Sequence, residues 1–320
     1  MTRAAHPVKP LGRTGIDVTT LCVGTSPLAS MPNLYGYGVD EERAVATVLA
    51  MFESPITFLD TSNGYGEDGE AERRVGEAIR RHGGLPDGVV LATKVDPDPR
   101  TGDFSGDRVR RSLEESLERL GVDRVPLLHL HDPERIPFEQ GIAPGGPLEA
   151  LVELRERGLV DHLGVAGGPV GLLQRYLDTG EFAVVLSHNR YTLLDRSAEA
   201  LFARAREAGI GVLNAAPYGG GMLSKGPGVR GTYAYGARDA AVAAAARAMQ
   251  AACERVGVPL AAAALQFSLR SPLIDSTVVG LSSAERIAQT VALAEVPVPE
   301  ALWSELDGLA PPRERWLDPA

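Results

Sequence analysis

The feature that most constrains this chain is an alternation of pattern. Eight short apolar runs take turns with helical patterns almost from end to end. The runs are Leu21–Thr25, Thr57–Thr61, Val89–Lys94, Leu127–His131, His162–Ala166, Val184–His188, Val212–Ala216 and Ser276–Gly280. Most are too continuously apolar for a strand with one wet face and suit strands buried on both faces. Helical patterns read at Asp40–Phe52, Glu70–Arg81, Asp107–Leu120, Leu148–Arg157, Val170–Asp178, Ala198–Ala208, Asp239–Arg255 and Ser283–Leu293. Strand–helix alternation implies a parallel sheet with helical crossovers. Eight units without a domain-sized shift in composition predict an α/β chain closed into a (β/α)8 TIM barrel, one domain over residues 1–320. Such barrels take ~250 residues and more with insertions.

Several segments fall outside the repeat. Residues Val8–Val18 read as an N-terminal β-hairpin turning at Gly12-Arg13-Thr14-Gly15, placed to plug the barrel's N-terminal end. Pro217–Gly236 holds seven glycines and two prolines in twenty residues, which predicts a long structureless loop with a functional role. It follows the seventh strand, on the face where barrel active sites lie. An extra helix, Leu260–Leu269, and the tail after Pro297 complete the chain, with Pro311-Pro312 making the end loop-like.

The bulk numbers exclude some partners. A net charge of −10 repels phosphate backbones, so no nucleic-acid partner is expected. No apolar run approaches the ~20 residues of a membrane span, and Met1–Pro10 lacks the apolar stretch of a secretion signal. Cys22 and Cys253 are far apart and read as small buried hydrophobes. No metal site is expected, because His131 and His188 lack further histidine or glutamate ligands at strand ends. The reading is a cytoplasmic enzyme acting on a small molecule.

In a barrel the chemistry sits at the C-terminal ends of strands. Those ends carry Asp60, Lys94, His131 and His188. Tyr65 follows Asp60 by five residues, in the loop above that strand. A free phenol has a pKa near ~10 and is a poor acid or base at neutral pH. An adjacent ammonium favours its phenolate, and Lys94 is placed to supply one, held charged by Asp60. His131 is placed to bond a substrate oxygen or share a proton with Tyr65. Such a group tunes one phenol for proton transfer at a carbinol oxygen, which is the requirement of hydride chemistry at a carbonyl carbon.

Phe58-Leu59-Asp60-Thr61-Ser62-Asn63-Gly64-Tyr65-Gly66, Ala92-Thr93-Lys94 and Leu128-His129-Leu130-His131-Asp132-Pro133 together resemble the aldo-keto reductases. Leu11-Gly12-Arg13-Thr14-Gly15 and the segment from Val278 to Arg286 match as well, so the resemblance runs from about Pro10 to Leu309. It implies a barrel oxidoreductase with Asp60, Tyr65, Lys94 and His131 as the catalytic four and NAD or NADP as cofactor. His129 lies deeper on the same strand and reads as structural. Gly64-Tyr65-Gly66-Glu67-Asp68-Gly69 mimics a dinucleotide fingerprint, but Glu67 and Asp68 would repel a pyrophosphate, so that reading is set aside.

The resemblance also implies a cofactor site. Gly24, Thr25, Asp60, Ser187 and His188 would surround the nicotinamide. Pro217, Tyr218, Gly219 and Gly220 would wrap the pyrophosphate. Gly280, Leu281, Ser282, Arg286, Gln289 and Thr290 would hold the adenosine end, with the helix start at Ser283 a plausible phosphate site. Many members have a lysine or arginine at the Gly280 position to pair a 2′-phosphate. Its absence, with Arg286 retained, tilts the expectation to NAD. Ala166-Gly167 and Asn214-Ala215-Ala216 replace residues that contact nicotinamide in many members. These departures resemble the branch of aldose (lactol) dehydrogenases acting on L-fucose, L-galactose and D-threo-aldoses, with pyridoxal 4-dehydrogenase. Tyr65, His131 and Asp132 would then meet the substrate, Asp132 accepting from sugar hydroxyls.

Overall fold

In the computed structural model, residues 6–234, 236 and 239–319 are described. Tyr235, inside the glycine-rich loop, and the chain ends Met1–Ala5 and Ala320 lie outside them.

Ten strands form. β1 (Val8–Pro10) and β2 (Asp17–Thr19) make an antiparallel pair. The other eight are β3 (Leu21–Gly24), β4 (Phe58–Asp60), β5 (Val90–Val95), β6 (Val125–His131), β7 (Val160–Gly167), β8 (Val184–His188), β9 (Gly211–Ala215) and β10 (Ser276–Gly280). They are parallel and close into a barrel in the order β10-β3-β4-β5-β6-β7-β8-β9. All eight expected runs therefore became barrel strands, with ends shifted by one or two residues at most of them.

The helices form where local sequence starts them. Asp40, Ser105 and Asp239 each accept a hydrogen bond from an N–H of the first turn and cap the helices Glu41–Phe52, Gly106–Leu120 and Ala240–Arg255. The helix Gly106–Leu120 packs on the outer surface of the sheet, with Val109 and Leu113 against Leu128 and Leu130 in one cluster, while Ala240–Arg255 packs on the neighbouring helices Leu260–Leu269 and Glu300–Gly308.

The inner surface follows the two-residue period of a strand. Cys22, Phe58, Ala92, Leu127, Leu186, Leu213 and Val278 belong to one buried cluster inside the barrel. One inward step further along the same strands stand Gly24, Asp60, Lys94, His129, His188, Ala215 and Gly280. The barrel is thus apolar in its middle and polar or open at its C-terminal mouth. The N-terminal end is shut by the β1–β2 hairpin: Arg13 N–H donates to the Gly209 carbonyl (2.9 Å), Gly12 N–H to Asp275 (3.2 Å) and Lys9 Nζ to the Ile274 carbonyl (2.8 Å).

One expectation needs correction. Residues 217–236 are not structureless. Met222–Lys225 forms a helical turn, and Tyr233 is buried, donating to the Asn189 carbonyl at 2.6 Å and meeting Thr192 Oγ1 at 2.8 Å. Met222, Leu223 and Tyr233 join the cluster under the helix Ala240–Arg255, so apolar anchors fix a segment whose glycines alone predict irregularity.

Candidate active site

A cleft of about 610 Å³ opens at the C-terminal mouth. At its floor lies Lys94, which is 1% exposed. Its ammonium donates to Asp60 Oδ2 (2.7 Å), to the Thr61 carbonyl (2.7 Å) and to the Tyr65 hydroxyl (3.0 Å). All three proton positions are used, which fixes the ammonium in the barrel axis. Burying a cation costs several kcal/mol unless it is paired and hydrogen-bonded. Asp60, 2% exposed, meets that requirement. Its second oxygen, Oδ1, is buried without a partner.

Tyr65 stands over this pair. Its ring lies edge-on to the His131 ring, centroids 5.6 Å apart and planes at 82°. His131 Nδ1 meets Asp96 Oδ1 at 2.7 Å. Burial opposes a charge on His131, but Asp96 and Asp132 outweigh it, and the imidazole pKa is raised above its ordinary value. His188, at the end of β8, behaves oppositely. Burial dominates, and its pKa falls to about 4 despite Asp132 nearby. The Asn189 amide donates to His188 Nδ1 (3.1 Å), which leaves the proton on Nε2, 3.9 Å from Asp132. Two histidines thus face one carboxylate, one with its pKa raised and one with its pKa lowered.

Asp132 has a left-handed backbone (φ 41°, ψ 57°), uncommon for a residue with a Cβ. That kink turns the chain out of β6 while its carboxylate stays 3.7 Å from His131 Nε2. Arg135 donates to it at 3.3 Å. Burial raises the Asp132 pKa, but His131, His188 and Arg135 bring it below its ordinary value. Asp132, Glu134 and His188 bring ligand atoms within 4.8 Å of one another. Glu134 is exposed and already accepts from the Gly168 N–H at 3.2 Å.

The rest of the cleft fits an extended dinucleotide. Gly24, Pro217, Tyr218, Gly220, Gly280, Leu281, Ser282, Arg286, Gln289 and Thr290 all line it. Ser282 and Arg286 flank the start of the helix Ala284–Glu295, where free N–H groups favour an anion. Lys225 and Arg230 line the same cleft, bringing positive charge into a chain of net charge −10. Asn189 Oδ1, a buried oxygen without a partner, lines the cleft just beyond the end of β8, where a carboxamide would find it. Gly280 is closely approached: a Cβ there would lie 3.0 Å from Pro27 Cγ.

Three expected residues do not line the cleft. Thr25 is buried, its hydroxyl donating to the Asp60 carbonyl at 3.1 Å. Ser187 is buried at the end of β8, and Gly219 is packed beneath the Tyr233 ring. His129 is fully buried, and burial together with the Lys94 charge lowers its pKa well below the ordinary value. The Glu67–Gly69 stretch of the fingerprint mimic is a short 3-10 turn leading into the helix Glu70–His82.

Sequence reasoning missed Asp96, Ser62, Tyr35, Tyr37, Arg135, Lys225 and Arg230. For Asp96 the signal was present. It stands two residues after Lys94, so the strand period puts it on the same face. The others come from loops and single helical turns, too short to carry a period.

Fold and site together define an α/β-barrel oxidoreductase. The aldo/keto reductase family model matches residues 20–311, and the chain belongs to that family. It is similar to L-galactose dehydrogenase of Arabidopsis thaliana (32% identical, covering 95% of this chain and 94% of that protein). It is also similar to D-threo-aldose 1-dehydrogenase of a Pseudomonas species (32%, 91% and 94%) and pyridoxal 4-dehydrogenase of Microbacterium luteolum (30%, 93% and 96%). A solved aldo-keto reductase from Bacillus halodurans, AKR11C1 in its holo form, shares the fold at TM-score 0.78 and 24% identity, over 95% of this chain and 96% of that one. Among the described residues, no helix is long and apolar enough to cross a membrane.

Proposed function

We propose that the enzyme oxidises the anomeric carbon of a cyclic aldose, of the L-fucose or D-threo-aldose type, to the lactone, with NAD preferred over NADP. The observation that carries the reading is the Lys94 ammonium, hydrogen-bonded to both Asp60 and the Tyr65 hydroxyl.

A nicotinamide bound along the cleft would supply the hydride acceptor. Lys94 stabilises the Tyr65 phenolate, which takes the proton of the anomeric hydroxyl. The C1–H electron pair departs as hydride, and the C1–O bond becomes the lactone carbonyl. His131 donates to that oxygen. Asp60 pairs with Lys94 and holds it in place.

The substrate class rests on the rim. Asp132, Arg135 and His188 surround the space above Tyr65 and His131 with acceptors and donors suited to vicinal hydroxyls. The relatives named for L-galactose and D-threo-aldoses support the same class. The NAD preference rests on Gly280, which supplies no cation there and where a Cβ would meet Pro27 Cγ at 3.0 Å, with Arg286 retained. The relative named for pyridoxal keeps that aldehyde's hemiacetal as the alternative substrate, and reduction of simple aldehydes or ketones with NADPH is the second.

Steady-state assays with L-fucose, L-galactose, D-arabinose and pyridoxal, each with NAD and NADP, test the reading. Lactone formation from an aldose with the higher kcat/KM on NAD is expected. Activity on pyridoxal alone, or only NADPH-dependent aldehyde reduction, would replace it.

A further inference from the structure

We propose that Asp96 is a positioning residue for His131, turning Nδ1 inward and Nε2 to the cleft and holding the ring as a charged donor to the substrate oxygen. The proposal rests on the catalytic reading above and adds a carboxylate to the expected four residues.

Asp96 is buried at the C-terminal end of β5, and both carboxylate oxygens are engaged. Oδ1 takes His131 Nδ1 at 2.7 Å, and Oδ2 accepts from Ser62 Oγ and from the Gly64 N–H at 2.7 Å. The backbone is pinned as well. Its N–H donates to Ser112 Oγ and its carbonyl accepts from Arg108 Nε, both at 3.1 Å. Arg108 is itself held by Asn63 Oδ1 and Glu115 Oε1, each at 2.9 Å. A Cβ on Gly64 would lie 2.6 Å from the Asp96 carboxyl, so the glycine before Tyr65 gives the carboxylate its place.

A carboxylate that merely closed the Ser62–Gly64 loop would need Oδ2 alone. Oδ1 is spent on His131. The groups facing that ring come from several elements. Asp96 and Asp132 favour its charged form, while burial and Lys94 oppose it. Neutral His188 and His129, the Tyr65 ring and Arg135 (bonded to Asp132) complete the surroundings. Burial would raise the Asp96 carboxyl, yet the charge of His131 and the bonds from His131, Ser62 and Gly64 hold it at about 2. Geometry and charge therefore agree on an ion pair with its free N–H aimed outward.

The chemical consequence is a division of labour. Tyr65 accepts the hydroxyl proton, and the imidazolium Nε2–H stabilises the oxygen that becomes a carbonyl. No bond to His131 forms or breaks, and its proton stays with it through oxidation.

The test is a nitrogen-15 histidine NMR titration of the cofactor-free enzyme, with His131 assigned through H131Q. The wild-type His131 is expected to titrate above its ordinary value of 6.5. In Asp96→Asn the midpoint should drop by about one unit or more, as removal of a direct charge partner does. The alkaline limb of kcat should move down with it, and kcat should fall about tenfold or more with cofactor Kd unchanged. A wild-type midpoint at or below the ordinary value overturns the proposal, as does an unchanged midpoint in a folded D96N. If D96N does not fold, the wild-type titration alone decides. Failure of the aldose panel would leave this titration untouched, so the two readings fail separately.

Discussion

The two ends of the barrel use the same chemistry of buried charge for opposite purposes. At the N-terminal end, Asp275 accepts from the N–H groups of Gly12 (3.2 Å) and Val212 (2.9 Å) and pairs with Arg206. Both of its oxygens are satisfied, and the hairpin covers them. At the mouth, Asp60 leaves Oδ1 without a partner, and the Lys94 ammonium it holds reaches on to a phenol lining a cleft. At the N-terminal end, the buried Asp275 paired with the exposed Arg206 fastens one segment to another. The wholly buried Asp60–Lys94 pair at the mouth passes its field to a group that substrate can reach. The difference lies in what stands at the open side of each pair.

Tyr65→Phe should break the comparison most sharply. Loss of the acid–base group is expected to cut turnover by about 10³-fold, within the range general acid–base groups contribute. Cofactor affinity, by fluorescence titration, and thermal midpoint should stay near wild type. Near-normal turnover would remove Tyr65 from the chemistry. Lys94→Met comes next and should affect both properties. It deprives Tyr65 of its ammonium and leaves Asp60 buried and unpaired, a change that costs about 3–5 kcal/mol in comparable sites. Denaturant unfolding alongside kcat measures the two effects, and a stable, active variant would show that Asp60 and Lys94 are not coupled in this way. Asp275→Ala should give the smallest and purest effect. It orphans two backbone N–H groups, for about 1–3 kcal/mol of stability, and should leave kcat and its pH profile alone. A loss of kcat would mean that the two ends of the barrel communicate.

Much of this molecule was legible in the chain. Eight apolar runs separated by capped helical patterns leave few alternatives to a closed parallel barrel, because each strand must bury two faces and each crossover must return to the same edge. The strand-end positions of Asp60, Lys94 and His131 followed from where the apolar runs stop. The glycine-rich segment 217–236 misled, because glycine content reports backbone freedom and not the burial of Tyr233, Met222 and Leu223 among it. Asp96 was within reach of the same period, yet nothing in the sequence says that it finds His131, 35 residues away.

The sequence by itself therefore pointed to the barrel through its local period and to the family through the resemblance of its motifs, and the fold brings Asp60, Tyr65, Lys94 and His131 into one cleft. Only the tertiary structure decided the electrical state of the site. Whether a histidine is charged depends on what lies within a few ångströms. Asp96, just past the end of β5, favours the charged form of His131, while burial at the end of β8 favours the neutral form of His188. Electrostatic energy falls with distance through space, and the distances that count join strands far apart along the chain.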